Sequence, residues 1–220
     1  MSQIYPSLMA GDILNLQREI EILEKSEAAG YHIDIMDGHF VPNLTWGQMF
    51  VEAFNRVTIK PLWVHLMVDD YHRWVDFLLP VLSDNSIVTF HFESKNNFRE
   101  ASVLIKENNL IPSIAINPKT PVEKVFPFLD VIHHVLIMSV EPGYSGQPFL
   151  PEIINKIDTL VSACQMNESK VTIAMDGGIK EDNIALLAQK GVEQFAVGSG
   201  IFDHTDRVAA VKKLYDLTKL

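Results

Sequence analysis

Cysteine is nearly absent: Cys164 is the only one in 220 residues. An intrachain disulfide is therefore excluded, and this usage suits a reducing cytosol better than a secreted scaffold. Positive charge is also scarce, with 18 Lys and Arg against 28 Asp and Glu, a net −10 with histidine neutral. A nucleic-acid partner is not expected, because neutralising phosphates needs a basic face. A local anion site stays open, since backbone N–H groups bind phosphate without a cationic side chain. No apolar run approaches the ~20 residues of a membrane helix, so no membrane partner is expected. Residues 1–24 have neither the basic start nor the apolar core of a secretory leader, and a cytoplasmic location is the expectation. G-x-G-x-x-G, Walker A and G-x-S-x-G motifs are missing, which leaves a Rossmann site, a P-loop and a nucleophile elbow unsupported. With no Gly/Ser linker and no fixed-period repeat, residues 1–220 are expected to form a single domain.

Apolar residues make up 47% of the chain and charged residues 21%, the balance of an ordinary soluble globular protein. A chain of this length buries roughly 70% of the surface its unfolded form exposes, so neither a metal nor a disulfide is needed merely to fold it. Eight short apolar runs read as strands: 3–8, 31–36, 61–67, 87–92, 111–116, part of 131–140, 171–175 and 194–197. Amphipathic stretches lie between them. The spacing predicts helices over 12–29 (capped by Asp12 and stopped by Gly30), 121–129 (opening on Thr120-Pro121), 151–161, 181–190 and 206–219. Strand–helix alternation with near-continuous apolar strands indicates a parallel sheet covered by helices. Eight units in 220 residues sit at the compact end of the roughly 200–400-residue range of (β/α)₈ barrels. The expected fold is α/β, a (β/α)₈ TIM barrel.

Polar residues gather at the strand ends. In Tyr31-His-Ile-Asp-Ile-Met36, His32, Asp34 and Met36 share one strand face, because side chains alternate with period two. His65 and Met67 end the third strand in the same way, and Asp176-Gly-Gly178 ends the seventh. In a barrel these ends form one rim, where active sites of this fold lie. Two imidazoles and two carboxylates suit a divalent ion such as Zn²⁺, Fe²⁺, Co²⁺ or Mn²⁺. The competing reading is a His–Asp ion pair that only orders the barrel mouth. His91 ends the fourth strand, where it could line the rim. It is read as structural, as are His39 and His72 in loops, the adjacent pair His133 and His134, of which at most one can face inward, and His204 as a cap of the last helix.

Glycines cluster in three consecutive strand-to-helix loops: Glu141-Pro-Gly-Tyr-Ser-Gly-Gln147, Asp176-Gly-Gly178 and Val197-Gly-Ser-Gly-Ile201. Glycine lets backbone N–H groups approach an anion closely. In barrels, phosphate commonly binds at the loops after strands seven and eight. Any one cluster could be a plain turn; three together favour a phosphate site.

These residues carry a resemblance. The chain resembles the ribulose-phosphate 3-epimerase family almost end to end, through Pro6-Ser-Leu8, His32-Ile-Asp-Ile-Met-Asp-Gly-His-Phe-Val-Pro-Asn43, Val64-His-Leu-Met67, Asn117-Pro-Lys-Thr-Pro121, Met138-Ser-Val-Glu-Pro-Gly-Tyr-Ser-Gly-Gln-Pro-Phe149, Met175-Asp-Gly-Gly178 and Val197-Gly-Ser-Gly-Ile-Phe202. The first long motif is highly specific. The resemblance implies a (β/α)₈ barrel and an epimerase that inverts C3 of a ketose phosphate, D-ribulose 5-phosphate to D-xylulose 5-phosphate. It implies one divalent metal, Zn²⁺ first with Fe²⁺, Co²⁺ or Mn²⁺ as alternatives, on His32, Asp34, His65 and Asp176. Asp34 and Asp176 would be the two acid/base groups. Ser7, His65, Asp176, Gly143, Tyr144, Ser145, Gly146, Gly177, Gly178, Gly198 and Ser199 would bind substrate, the glycine loops holding its phosphate. Met36, Met67 and Met138 would line the reacting carbons. A homo-oligomer is expected.

Two features depart from the family pattern. Tyr144-Ser145 stands where Phe-Gly is usual, and Phe92 is unusual in Phe90-His-Phe-Glu93. Asn43-Leu-Thr45 and Gly146-Gln-Pro-Phe-Leu-Pro151 look similar to the allulose-6-phosphate 3-epimerase branch, whereas Glu141-Pro-Gly143 and Asp176-Gly-Gly178 look more like the pentose enzyme. D-allulose 6-phosphate is therefore the alternative substrate. A metal-free phosphosugar lyase or isomerase would want a catalytic Lys or Glu at a strand end, and no strand here ends in Lys. A non-catalytic sugar-phosphate-binding barrel would be expected to have lost the acid/base pair, whereas Asp34 and Asp176 are both present.

Overall fold

In the computed structural model, which describes residues 2–94 and 97–219, eight strands form one parallel sheet. They are β1 (Gln3–Pro6), β2 (Tyr31–Met36), β3 (Leu62–Met67), β4 (Ile87–His91), β5 (Ile111–Ile116), β6 (His134–Met138), β7 (Thr172–Asp176) and β8 (Gln194–Val197). The sheet runs β1-β8-β7-β6-β5-β4-β3-β2. An isolated parallel bridge between Ser7 and His32 joins its two edges and brings the barrel near closure. The expected (β/α)₈ architecture is the one observed.

The helices are α1 (Leu16–Leu23), α2 (Gln48–Val57), α3 (Tyr71–Leu78), α4 (Phe98–Glu107), α5 (Ile154–Met166), α6 (Ile184–Gln189), α7 (Ser199–Phe202) and α8 (Arg207–Leu217). A 3₁₀ helix, Val122–Phe128, replaces the α-helix between β5 and β6. Pro127 inside it supplies no N–H, which disfavours a continuous i→i−4 ladder.

Alternation along the strands sorts two apolar layers. Ile33, Ile35, Val64, Leu66, Val88, Phe90, Val135 and Ile137 pack outward with helix residues such as Ile20, Leu23, Val75 and Ile105. Tyr5, Trp63, Leu136, Ala174 and Ala196 fill the interior. Trp63 is its largest plug: its ring meets Tyr5, His32 and His134 edge-on at 5.2, 4.6 and 4.8 Å. Its indole N–H donates to Thr89 Oγ1 at 2.8 Å, so the polar handle is satisfied in the core. Six-residue β2 and β3 are buried along their whole length, as parallel strands covered on both faces should be.

Several local expectations change. The first helix starts at Leu16 rather than Asp12, because the Asp12 carboxylate accepts Leu14 N–H and Asn15 Nδ2 in a preceding turn. Ile13 and Leu14 are consequently exposed rather than on the buried face. Thr120 does not cap the next segment; its hydroxyl bonds Glu93. Asp206, not His204, caps α8 by accepting Ala209 N–H at 3.0 Å. His72 lies in α3 rather than in a loop. His134 is the inward member of its pair, between Ser113 Oγ at 2.7 Å and Gln194 Oε1 at 2.9 Å, and His133 is exposed.

Candidate active site and metal centre

Strand register brings the site together at the C-terminal rim. On β2 and β3, Asp34 is the Cα partner of His65. On β6 and β7, Met138 is the partner of Asp176, which in turn faces Ala196 of β8. The strand ends are knitted by local hydrogen bonds. Thr45 Oγ1 donates to Asp34 C=O at 2.6 Å and accepts Met36 N–H at 2.9 Å. Ser139, fully buried, holds the end of β7: its N–H and hydroxyl both donate to Asp176 C=O, at 2.8 and 2.9 Å.

One ligand atom each from His32, Asp34, His65 and Asp176 lies within 4.8 Å of all the others. His32 Nε2 is 3.1 Å from Asp34 Oδ1 and 3.6 Å from Asp176 Oδ2. His65 Nδ1 is 3.2 and 3.7 Å from the same two oxygens. A tetrahedral ion with ligands at about 2.1 Å holds its donors about 3.4 Å apart. The four N–O separations scatter around that edge length, so the cluster fits a divalent ion in size as well as in donor type. Ser7 Oγ donates to the other oxygen of Asp34, Oδ2, at 2.8 Å.

The electrostatics are divided between the two carboxylates. Burial raises Asp176 to about 7, and the neighbouring Asp34 charge adds to that. Burial also works against ionised Asp34, but His32 and then His65 outweigh it and hold Asp34 below the ordinary carboxylate range. Burial works against protonated His32, yet the Asp34 carboxylate leaves it raised. His65 is lowered by burial. His91 is pushed down to about 4 by the same cause, so its imidazole is neutral near pH 7.

Above this cluster lies a cleft of about 530 Å³ of empty space, part of it open to solvent. Its lining includes Ser7, Asp34, Asp176, Met36, Met67 and Met138, together with Gly143, Tyr144, Ser145, Gly146, Gly177, Gly178, Gly198 and Ser199. His32 and His65 are fully buried and do not line it. His65 lies among the candidate metal ligands. The three methionines are almost fully buried, each at 2% exposure or less. Sequence reasoning missed Met9, Val140, Pro142, Gln147, Ile179 and Ala196, which also line the cleft.

The cleft wall is a folded loop. Asn43 Nδ2 donates to Gly143 C=O at 3.0 Å, and Gln147 Nε2 donates to the carbonyls of Glu141 and Tyr144 at 2.7 and 2.9 Å. Gly178 adopts φ +60°, and a Cβ there would stand 2.5 Å from Phe149 N. Only glycine lets this loop and the β7 end meet so closely.

His91, on the inward face of β4, has its Nε2 2.8 Å from His65 Nε2 and its Nδ1 3.3 Å from Glu93 Oε2. The signal was present in Phe90-His-Phe-Glu93, where alternation puts His91 on the inward face.

A family model described as the Ribulose-phosphate 3 epimerase family matches residues 3–202. Ribulose-phosphate 3-epimerase of Mycobacterium tuberculosis is 37% identical over 214 residues, covering 96% of this chain and 90% of its own. The protein of that name from Bacillus subtilis is 34% identical over 215 residues, covering 97% and 98%. Among solved structures, KGPDC from Streptococcus mutans superposes with a TM-score of 0.73 over 100% of this chain and 98% of its own, at 14% identity, a likeness of fold.

Proposed function

This chain belongs to the ribulose-phosphate 3-epimerase family, and from that premise we propose that it inverts C3 of D-ribulose 5-phosphate to give D-xylulose 5-phosphate by two-base proton transfer. The observation that carries this reading is the pairing of two buried carboxylates with two histidines at the floor of a methionine-lined, glycine-walled cleft.

Inverting a carbon beside a ketone requires removing its proton on one face and returning one on the other. Asp34 and Asp176 come from different strands and both line the cleft. Each uses one oxygen in the four-residue cluster, Asp34 Oδ1 and Asp176 Oδ2, which leaves its second oxygen for the substrate. Ser7 orients that second oxygen of Asp34 through its hydroxyl. The opposite pulls on the two carboxylates suit a pair in which one starts as base and the other as acid.

A divalent ion held by His32, Asp34, His65 and Asp176 would polarise the ketone and hydroxyl oxygens and stabilise the enediolate as charge develops. Zn²⁺ is the proposed ion, with Fe²⁺, Co²⁺ or Mn²⁺ compatible with the same donors. Met36, Met67 and Met138 present polarizable thioethers that donate no proton, and they exclude water from the reacting carbons. Gly177, Gly178, Gly198 and Ser199, with Gly143, Tyr144, Ser145 and Gly146 across the cleft, would hold the phosphate through backbone N–H groups and the serine hydroxyls. Holding the phosphate contributes binding energy away from the reacting carbon.

The protein acts as a single barrel domain in the cytoplasm, a location supported by the lone cysteine. Among the described residues no helix is long and apolar enough to cross a membrane. A homo-oligomer is supported by exposed apolar Leu44 ahead of α2 and by exposed Met49 and Phe50 within it.

Chelation followed by metal return tests the reading. Stripped protein should lose turnover of D-ribulose 5-phosphate and regain it with a divalent ion. His32→Ala and His65→Ala should each bind less metal, and full activity in stripped protein would refute the assignment. D-allulose 6-phosphate in the same assay tests the longer sugar.

A further inference from the structure

Below the cleft, a chain of hydrogen bonds leads away from the candidate metal centre. His65 is fully buried with both ring nitrogens engaged: Nδ1 faces the Asp34 and Asp176 oxygens, and Nε2 lies 2.8 Å from His91 Nε2. His91, also fully buried, has its Nδ1 3.3 Å from Glu93 Oε2. Glu93 is anchored in turn. Its Oε1 accepts Asn117 N–H at 2.9 Å and the Thr120 hydroxyl. Lys156 Nζ pins the same loop through the carbonyls of Asn117, at 2.9 Å, and Thr120.

Two neutral imidazoles facing each other through nitrogen can share only one proton, so two patterns compete. In the first, His65 Nε2 carries the proton and donates to His91; His65 Nδ1 is then bare and able to bind a cation. In the second, His91 Nε2 carries it; His65 then bears its proton on Nδ1, donates to Asp34, and cannot ligate. The second pattern is a His65–Asp34 hydrogen bond that only orders the barrel mouth. The Asp34 carboxylate, 3.2 Å from His65 Nδ1, favours the second pattern, and Glu93 opposes it. A carboxylate beside His91 Nδ1 favours a proton there, which leaves His91 Nε2 bare and favours the first pattern, the one His65 must adopt to ligate. By contrast, Nδ1 of His32 has no hydrogen-bond partner among the described residues, so no comparable chain sets its tautomer.

We infer that His91 and Glu93 are positioning residues whose hydrogen-bonded relay stabilises, against the pull of Asp34, the one His65 tautomer that offers Nδ1 to a divalent cation. This rests on the proposed metal centre, and it adds the device that offsets the cost of taking the Nδ1 proton from His65 when the cation binds. Carboxylate support of a ligating histidine typically changes metal affinity 10–100-fold.

Glu93→Gln makes the sharp test. The Glu93 oxygen nearest Asn117 and Thr120 has two donors aimed at it, so the amide oxygen would settle there and the NH₂ would face His91 Nδ1. The donor sense of the whole relay reverses. On ¹⁵N-histidine-labelled, metal-stripped protein, NMR should show a wild-type His65 population protonated at Nε2, with His91 protonated at Nδ1. In Glu93→Gln, His65 should shift toward Nδ1–H, and Zn²⁺ competition titration should show affinity lowered about 10–100-fold. Glu93→Asp, which keeps the charge, should recover part of that loss. A wild-type His65 wholly protonated at Nδ1 overturns the inference even if the variants fail to fold. So does unchanged Zn²⁺ affinity with an unchanged His65 tautomer in folded Glu93→Gln. If wild-type protein binds no Zn²⁺ but shows the expected tautomers, the metal reading fails while the relay stands.

Discussion

Gly178→Ala perturbs the cleft at the point where its two walls meet. At φ +60° an alanine costs about 1–2 kcal/mol in backbone conformation alone. Its Cβ would stand 2.5 Å from Phe149 N, 2.8 Å from Phe149 Cα and 3.0 Å from Phe149 Cβ. Ordinary carbon contacts are about 3.5–4.0 Å, so the 149 backbone must retreat by about 1 Å. Such overpacking costs about 1–3 kcal/mol more, for a total of about 2–5 kcal/mol. A domain of ordinary stability, about 5–15 kcal/mol, still folds. The displaced segment is continuous with Pro142–Gln147, which wall the cleft, and an error of about 1 Å in substrate placement can cost about 10²-fold. The variant should therefore show a lowered melting temperature and a kcat/KM for D-ribulose 5-phosphate reduced by one to two orders of magnitude, with KM raised. Metal content should stay near that of the unmodified protein, because the four candidate ligands lie on the strands. Gly146→Ala supplies the contrast: its φ is +78° but nothing lies within 4 Å of its Cβ position, so only the conformational cost of about 1–2 kcal/mol applies. Thermal melts, metal analysis and Michaelis kinetics on both variants check the reasoning. Equal effects at the two glycines, or no effect at Gly178, would refute it.

Three further outcomes follow from the same geometry. Zn²⁺ affinity of stripped protein should rise with pH and level off near 7, because the cation must displace the proton that Asp176 holds up to about 7; below that, affinity should fall at least about tenfold per unit, with raised His32 acting in the same direction, and a flat profile from pH 5.5 to 7.5 in competition titrations contradicts this. Ser199→Glu should raise KM for a phosphorylated ketose far more than it alters metal content, since its carboxylate would repel the phosphate; metal loss with unchanged KM would move the phosphate site elsewhere. Ser7→Ala removes a hydrogen bond to buried Asp34 Oδ2 of a kind that contributes about 1.5–3 kcal/mol, and should lower kcat at near-normal metal content, whereas unchanged kcat would deny Ser7 any part in orienting that carboxylate.

What could be read from sequence divides along physical lines. Strands buried on both faces are near-continuous apolar runs, so all eight were visible, and period-two alternation already put His32 with Asp34 and His65 with Met67. Placing those pairs beside Asp176 needed only the assumption of a barrel, in which every strand ends at one rim. Helices α2, α3 and α4 were not named although their apolar faces are well separated, because no proline opens them and no glycine closes them. Asp12 was misplaced as a cap because an aspartate that bonds N–H groups two or three residues ahead serves a turn and a helix start alike. The His65–His91–Glu93 relay was out of reach for a different reason: it depends on β3–β4 register, with His65 beside Thr89, and on loop residues Asn117 and Thr120 returning to Glu93. Neither is encoded in local spacing. The closing Ser7–His32 bridge is likewise a property of the assembled barrel.

The central claim, metal-dependent inversion of C3 by two aspartates, is tested most directly by solvent deuterium incorporation from D-ribulose 5-phosphate. Metal-loaded protein in D₂O should yield D-xylulose 5-phosphate carrying deuterium at C3 from the first turnovers, because the group that delivers the proton is not the one that removed it. The stripped protein should incorporate none. Asp34→Asn and Asp176→Asn, each checked for metal content, should fail to complete the inversion. Product that retains its original C3 proton, or either variant turning over at the unmodified rate with metal bound, would contradict the two-base account.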